Sequence, residues 1–187
     1  VCDGFDISWD AAASATSYRI EVDDDSAFGS PEVNATQAGT SISVNGLALG
    51  TTYNIRITPS NGCGDGIAAT ASETTSDIPA ALANLVSVNP VCDGFDLSWN
   101  ASTGAVDYLV EIDDASDFSS VDVSTTQPGT TYTASGLTNG TTYYYRVTPR
   151  NACGDGTTAT GDEITTDVPD PLANLTSVNP VCDGFDL

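Results

Sequence analysis

The chain has 187 residues, with four Arg, no Lys, no His, no Met and 26 acidic residues, and a net charge of −22. That charge excludes a role built on nucleic acid or anionic membrane surfaces, whose phosphates need cationic contacts, and favours solubility and repulsion between like chains. The missing His removes the commonest general base and metal ligand, and no run of 18 apolar residues exists to span a membrane.

Phe5-Asp-Ile-Ser-Trp9 alternates apolar and polar and predicts a strand with Phe5, Ile7 and Trp9 inward. Tyr18–Val22 predicts the next strand, broken by the turn formers Asp23-Asp-Asp-Ser, after which Phe28 is expected to fold back as a core plug. A weak strand is expected near Glu32–Thr36, and another at Thr40–Val44. The corner Leu47–Tyr53 runs into a strong strand, Tyr53–Thr58, and Asn61–Gly66 reads as a tight glycine-rich turn. Ile67–Thr75 closes the unit, Pro79 opens a linker, and Leu82–Asn89 predicts the first strand of a second unit. Helical periodicity appears nowhere.

That second unit repeats the first. Val1-Cys-Asp-Gly-Phe-Asp-Ile-Ser-Trp9 returns as Val91–Trp99 and again from Val181 to Leu187, and residues 1–90 overlay 91–180 without a gap at 50 identical positions. A period of 90 residues marks tandem domains large enough to hold their own cores. Short strands separated by turns, without helices, predict an all-β sandwich in each. The expected boundaries are 1–79, 80–169 and 170–187, the last being the start of a third unit. The chain begins and stops inside the repeated motif, so a longer polypeptide is expected around it.

A Trp ends the second strand, a Tyr opens the third (Tyr18, Tyr108), and Leu-x-x-Gly-Thr-x-Tyr corners (Leu47–Tyr53, Leu137–Tyr143) lead into strands carrying Arg and then Asn (Arg56 and Asn61, Arg146 and Asn151). These features resemble tandem fibronectin type III domains, particularly the repeats of large bacterial secreted and surface proteins. The resemblance implies strands A, B, C, C′, E, F and G, with Leu82–Pro90 as strand A of the second domain. It implies an extracellular setting and a spacer or binding scaffold rather than an enzyme.

Cys2, Cys63, Cys92, Cys153 and Cys182 recur in register, two per repeat, without the His or C-x-x-C of a zinc site. In the fold that the resemblance implies, strands B and F run the same way, so Cys2 and Cys63 would lie about 25 Å apart. Bridged Cα atoms lie within roughly 7 Å. A bridge across the domain junction, Cys2 with Cys153, is therefore expected, with Cys63, Cys92 and Cys182 paired to repeats outside the chain. The alternatives are Cys2–Cys63 with Cys92–Cys153, bridges to another chain, and free thiols.

The acidic turns offer Asp23, Asp24, Asp113 and Asp114 as calcium candidates, but no Asp-x-Asp-x-Asp-Gly loop is present. A solvated turn is the simpler reading, and no cofactor is expected. Asn34, Asn100, Asn139 and Asn174 match the N-linked acceptor pattern, although none is in register with its repeat. Of Tyr143, Tyr144 and Tyr145, only Tyr144 is expected to face solvent, a weak platform for sugar stacking. The expected partners are neighbouring repeats, copies of the same chain, and glycans. A stalk, surface fibre or filament is the leading reading; an adhesin or carbohydrate-binding accessory module is the alternative.

Overall fold

A computed structural model describes residues 2–173. The first domain contains β1 (Phe5–Ser8), β2 (Ser17–Asp23), β3 (Val33–Gln37), β4 (Ser41–Val44), β5 (Thr52–Asn61), β6 (Gly64–Asp65) and β7 (Ala69–Thr74). The second contains β8 (Val86–Val91), β9 (Gly94–Ser98), β10 (Asp107–Asp113), β11 (Val123–Gln127), β12 (Thr131–Ser135), β13 (Thr142–Asn151), β14 (Gly154–Asp155) and β15 (Ala159–Ile164). No helix occurs among the described residues.

Each domain is a sandwich of two antiparallel sheets. One face follows the order β3-β2-β5-β6 with β7 also on β5, repeated as β11-β10-β13-β14 with β15 on β13. The opposing sheet is β1-β4 in the first domain and β12-β9-β8 in the second. Alternation aims one side of every central strand inward. Ile20, Val22, Tyr53, Ile55 and Ile57 meet Ile7 and Val44; Val110, Ile112, Tyr143, Tyr145 and Val147 meet Phe95, Leu97 and Ala134. Each such aliphatic side chain, fully buried, contributes about 1.5–3 kcal/mol. Trp9 and Trp99 stack edge-on against Tyr18 and Tyr108, centroids 5.5 Å apart, a preferred aromatic geometry.

The corners are held by buried hydroxyls. Tyr53 Oη accepts the Ala48 N–H at 3.0 Å, and Tyr143 Oη accepts that of Thr138 at the same distance. Thr75 Oγ1 accepts the Thr51 N–H and donates to Ala48 O, and Thr165 does the same for Thr141 and Thr138. Buried backbone groups are thereby paired, as a closed sandwich requires.

Three expectations need correction. Phe28 does not plug the core. It stands half-buried on the outer face of the sheet under the Arg56 guanidinium, 4.2 Å from the ring centroid, and Phe118 lies likewise under Arg146. The segment Leu82–Asn89 is not one strand. Asn84 (φ 55°) and Asn89 (φ 54°) adopt left-handed conformations, so the ladder begins at Val86 and shifts register between Val88 and Val91. The last strand begins at Ala69 rather than Ile67, which is exposed.

The arginines also organise the outer faces. Glu21, a buried carboxylate, receives Arg56 Nε and Nη2 at 2.7 and 2.9 Å, and Glu111 receives Arg146 Nε at 2.7 Å. The hydrogen-bonded Arg56 holds the Glu21 carboxyl below its ordinary range, against the opposing effect of burial. A carboxyl depressed on folding stabilises above its unfolded value, and that contribution is lost as pH falls through the folded one. Chemical denaturation below about pH 4.3, the ordinary Glu value, should therefore show an acid-side loss of stability that is shallower in Glu21→Gln. Equal slopes in the two proteins would contradict this origin. A second outcome concerns Gly94, whose Cβ position is filled by the Ala134 carbonyl. Gly94→Ala should cost about 1–3 kcal/mol, as overpacking does, measured by urea unfolding.

Candidate functional site at the domain junction

The two domains meet where the turn before β1 approaches the β13–β14 hairpin. Here the structure joins Cys2 to Cys153, Cα atoms 5.3 Å apart and 151 residues apart in sequence. The within-domain pairings Cys2–Cys63 and Cys92–Cys153 are thus not formed, because the junction takes one cysteine from each domain. Closing a loop of this length removes on the order of 5 kcal/mol of unfolded-chain entropy in the chain-entropy account. Cys63 and Cys92 are exposed free thiols, and Cys182 lies outside the described residues.

Glycines let the hairpin receive the linker. Asn151 Oδ1 accepts the Cys153 N–H at 2.7 Å and shapes the turn. Its Nδ2 donates to Asp77 O at 2.8 Å and to Gly104 O at 3.0 Å, tying linker and second domain together. A Cβ on Gly156 would lie 2.5 Å from Pro79 O, and one on Gly154 would lie 3.3 Å from the Ile78 Cγ2 methyl. Beyond Pro79, the Ala80 N–H donates to Thr103 O at 2.9 Å, Ser102 Oγ donates to Ala80 O, and the Asn100 N–H donates to Ala83 O at 3.0 Å. Leu82 and Leu85 then pack on the second core, β8 pairs with β9, and Ser87 Oγ donates to Glu163 at 2.7 Å. The linker is thus a seated segment rather than a loose tether. Sequence reasoning missed this seat because Gly154 and Gly156 read as turn formers; their in-register recurrence with Gly64 and Gly66 is the signal that could have shown it.

The acidic candidates gather in two equivalent clusters. Asp23 and Asp24 are joined by Glu32, and Asp113 and Asp114 by Asp122, with the closest carboxylate oxygens of each set within 4.8 Å of one another. Asp23 and Asp113 are buried. Their oxygens accept backbone N–H groups: Asp25 (2.9 Å) and Ser30 (3.3 Å) on Asp23, Ala115 (3.1 Å) and Ser120 (3.3 Å) on Asp113. The buried carboxylates therefore organise their own loops.

The other candidates are dispersed. Asn34 lies exposed on β3, Asn100 is exposed just beyond β9, and Asn139 is exposed with its Nδ2 on Asp167 at 3.1 Å. Asn174 lies outside the described residues. Tyr143 and Tyr145 are buried, and Tyr144 is half-buried between them. All four arginines are paired to carboxylates of their own domain: Arg19 and Arg56 with Glu21, Arg146 with Glu111, Arg150 with Asp107.

Comparison with known proteins agrees with this architecture. The fibronectin type III domain matches residues 3–76 and 81–166. Chitinase A1 of Niallia circulans is 27% identical over 164 residues, 80% of this chain but only 22% of that relative. A two-domain fibronectin type III segment of chicken tenascin aligns at 17% identity and a TM-score of 0.47, over 87% of this chain and 93% of that one. The FN1–FN3 domains of chicken CNTN1 align at 18% identity and a TM-score of 0.45, over 88% and 63%. No helix among the described residues is long and apolar enough to cross a membrane. With both domains matched along nearly their whole length, the chain belongs to the fibronectin type III family, as two tandem domains.

Proposed function

We propose that the chain is a structural element of an extracellular stalk, surface fibre or filament, and that it has no catalytic role. One observation carries this reading: the Cys2–Cys153 bridge, set beside a seated linker, couples consecutive domains covalently and through hydrogen bonds. A spacer meant to bend has little use for such a staple, whereas a rod needs it at every joint. A disulfide also suits an oxidising, extracellular setting. The in-register cysteines extend the same joint to each repeat, with Cys63 and Cys92 facing further repeats.

A second reading, an accessory module of a secreted polysaccharide-degrading enzyme, draws support from the similarity to a chitinase. That match spans about a fifth of the relative, and the loops of the two repeats here are equal in length. A carbohydrate-binding module is expected to differ between repeats at its binding loop, so the structural reading is preferred.

We also propose that the acidic turns hold themselves without a metal. Asp113→Ala strips two loop amides of their acceptor, and should cost about 1–3 kcal/mol for each amide left buried and unpaired. Calcium should leave the Tm of the unsubstituted chain unchanged. A calcium-dependent rise in Tm that vanishes in Asp113→Ala would overturn this assignment. For the rod itself, electron microscopy of the native material with and without reductant is decisive. Straight, periodic fibres that soften on reduction are expected. Flexible strings indifferent to reductant would sink the structural reading and favour the accessory module, to be followed by glycan-binding assays.

A further inference from the structure

The sequence contains three Asn–Gly pairs: Asn45–Gly46, Asn61–Gly62 and Asn139–Gly140. In such a pair the backbone nitrogen of the glycine can attack the side-chain amide before it, because glycine places no Cβ beside that nitrogen. All three glycines are exposed, so exposure does not separate them. Their N–H groups do. The Gly46 N–H donates to Asp3 Oδ2 at 3.2 Å, and the Gly140 N–H to Thr166 O at 3.3 Å. Asn139 is held as well, its Nδ2 on Asp167 Oδ1 at 3.1 Å. The Gly62 N–H has no acceptor among the described residues.

Asn61 is posed for that attack. It ends β5 and opens the turn to β6. Its Oδ1 accepts the Cys63 N–H at 2.9 Å, which folds the carboxamide back along Gly62. The same N–H sits on the oxygen that gains negative charge when the amide carbon is attacked, and a donor so placed stabilises the transition state. A Cβ built on Gly62 would meet nothing within 4 Å, so nothing crowds the approach. Asn151 is a control within the chain. Its Oδ1 accepts the Cys153 N–H in the same way at 2.7 Å, but Ala152 stands in the place of Gly62, and its Nδ2 is engaged by Asp77 O and Gly104 O. Ala152 is exposed at the bridged junction, so the openness of this position belongs to the turn itself.

We propose that Asn61 is a self-deamidation site, and that the reaction releases the β5–β6 hairpin from the loop before β2. The Gly62 nitrogen gives its proton to solvent and bonds to Asn61 Cγ. The Cγ–Nδ2 bond breaks, and ammonia leaves with a proton taken from solvent. Water then opens the cyclic imide at either carbonyl, to aspartate or to isoaspartate, whose main chain runs through the former side chain. The net change is one water in and one ammonia out. The new carboxylate has no proton to donate to Ser14 O, which Asn61 Nδ2 reaches at 2.9 Å, so two acceptors face each other. Isoaspartate also lengthens the path to Cys63 by a methylene. In the bridged hairpin the equivalent nitrogen ties the linker. On the structural reading above, reaction at Asn61 therefore ages a joint of the kind that Asn151 preserves.

The test incubates the full 187-residue chain in mildly alkaline buffer, folded and in urea. Peptide mapping with electron-transfer fragmentation, which separates isoaspartate from aspartate, follows each Asn. In the folded chain both products should accumulate at Asn61, with one ammonia released per chain, while Asn45, Asn139 and Asn151 stay intact. In urea Asn45 and Asn139 should react alongside Asn61, because Gly46 and Gly140 lose their partners. Gly62→Ala should stop the reaction and keep the fold, since the second hairpin already carries Ala152 there. Asn61→Asp, the product introduced directly, should lower the Tm. Asn61 intact in the folded chain, reaction at Asn45 or Asn139 at the same rate, a rate undiminished in Gly62→Ala, or an unchanged Tm in Asn61→Asp would overturn the proposal. Fibres that soften on reduction would still leave the rod reading standing without it.

Discussion

A disulfide holds only where two Cα atoms approach to within about 7 Å, and at this junction that requirement is met by residues 151 apart in sequence. It brings the turn ahead of the first strand of one domain against the β13–β14 hairpin of the next. The Asn151 side chain reaches back to the linker, Pro79 lies over Gly156, and the free cysteines stand at the outward-facing equivalents of the bridged pair. A periodic chain need solve this contact once. Every repeat with the same cysteines and glycines inherits the solution.

Most of the fold was legible because its signals are local. Tyr18–Val22 and Tyr53–Thr58 alternate cleanly, and the Leu47–Tyr53 corner carries the hydroxyl that closes it. The pairing of Cys2 with Cys153 also has a legible origin, since the repeat puts one cysteine at each end of every domain. Phe28 was misread for the opposite reason. Its partner Arg56 lies 28 residues away on β5, and nothing in spacing distinguishes an aromatic that shields a cation from one that fills a core. The linker was misread because Asn84, an ordinary polar residue in the sequence, enters a left-handed conformation that only tertiary packing selects. Leu82 and Leu85 still pack, half-buried, against the core on either side of that kink, so the apolar pattern was right and the strand boundary was wrong.

The charge distribution follows a similar division of labour. Buried and half-buried carboxylates serve the fold: Glu21 and Glu111 hold arginines that cover Phe28 and Phe118, and Asp23 and Asp113 gather loop amides. Because all four arginines pair with carboxylates of their own domain, no cation is left to offset the net charge of −22. Parallel chains therefore repel sideways.

The bridge also determines where tension would run. Pulled from its ends, the chain carries force from residue 2 directly into residue 153, and residues 3–152 lie off that path. At up to about 3.3–3.6 Å per extended residue, those 150 residues hold on the order of 500 Å of contour length that no pull can release while the sulfur–sulfur bond lasts. The first sandwich and most of the second are thus shielded from unfolding by load, and the mechanical strength of the joint becomes that of a covalent bond rather than of a hydrogen-bonded sheet.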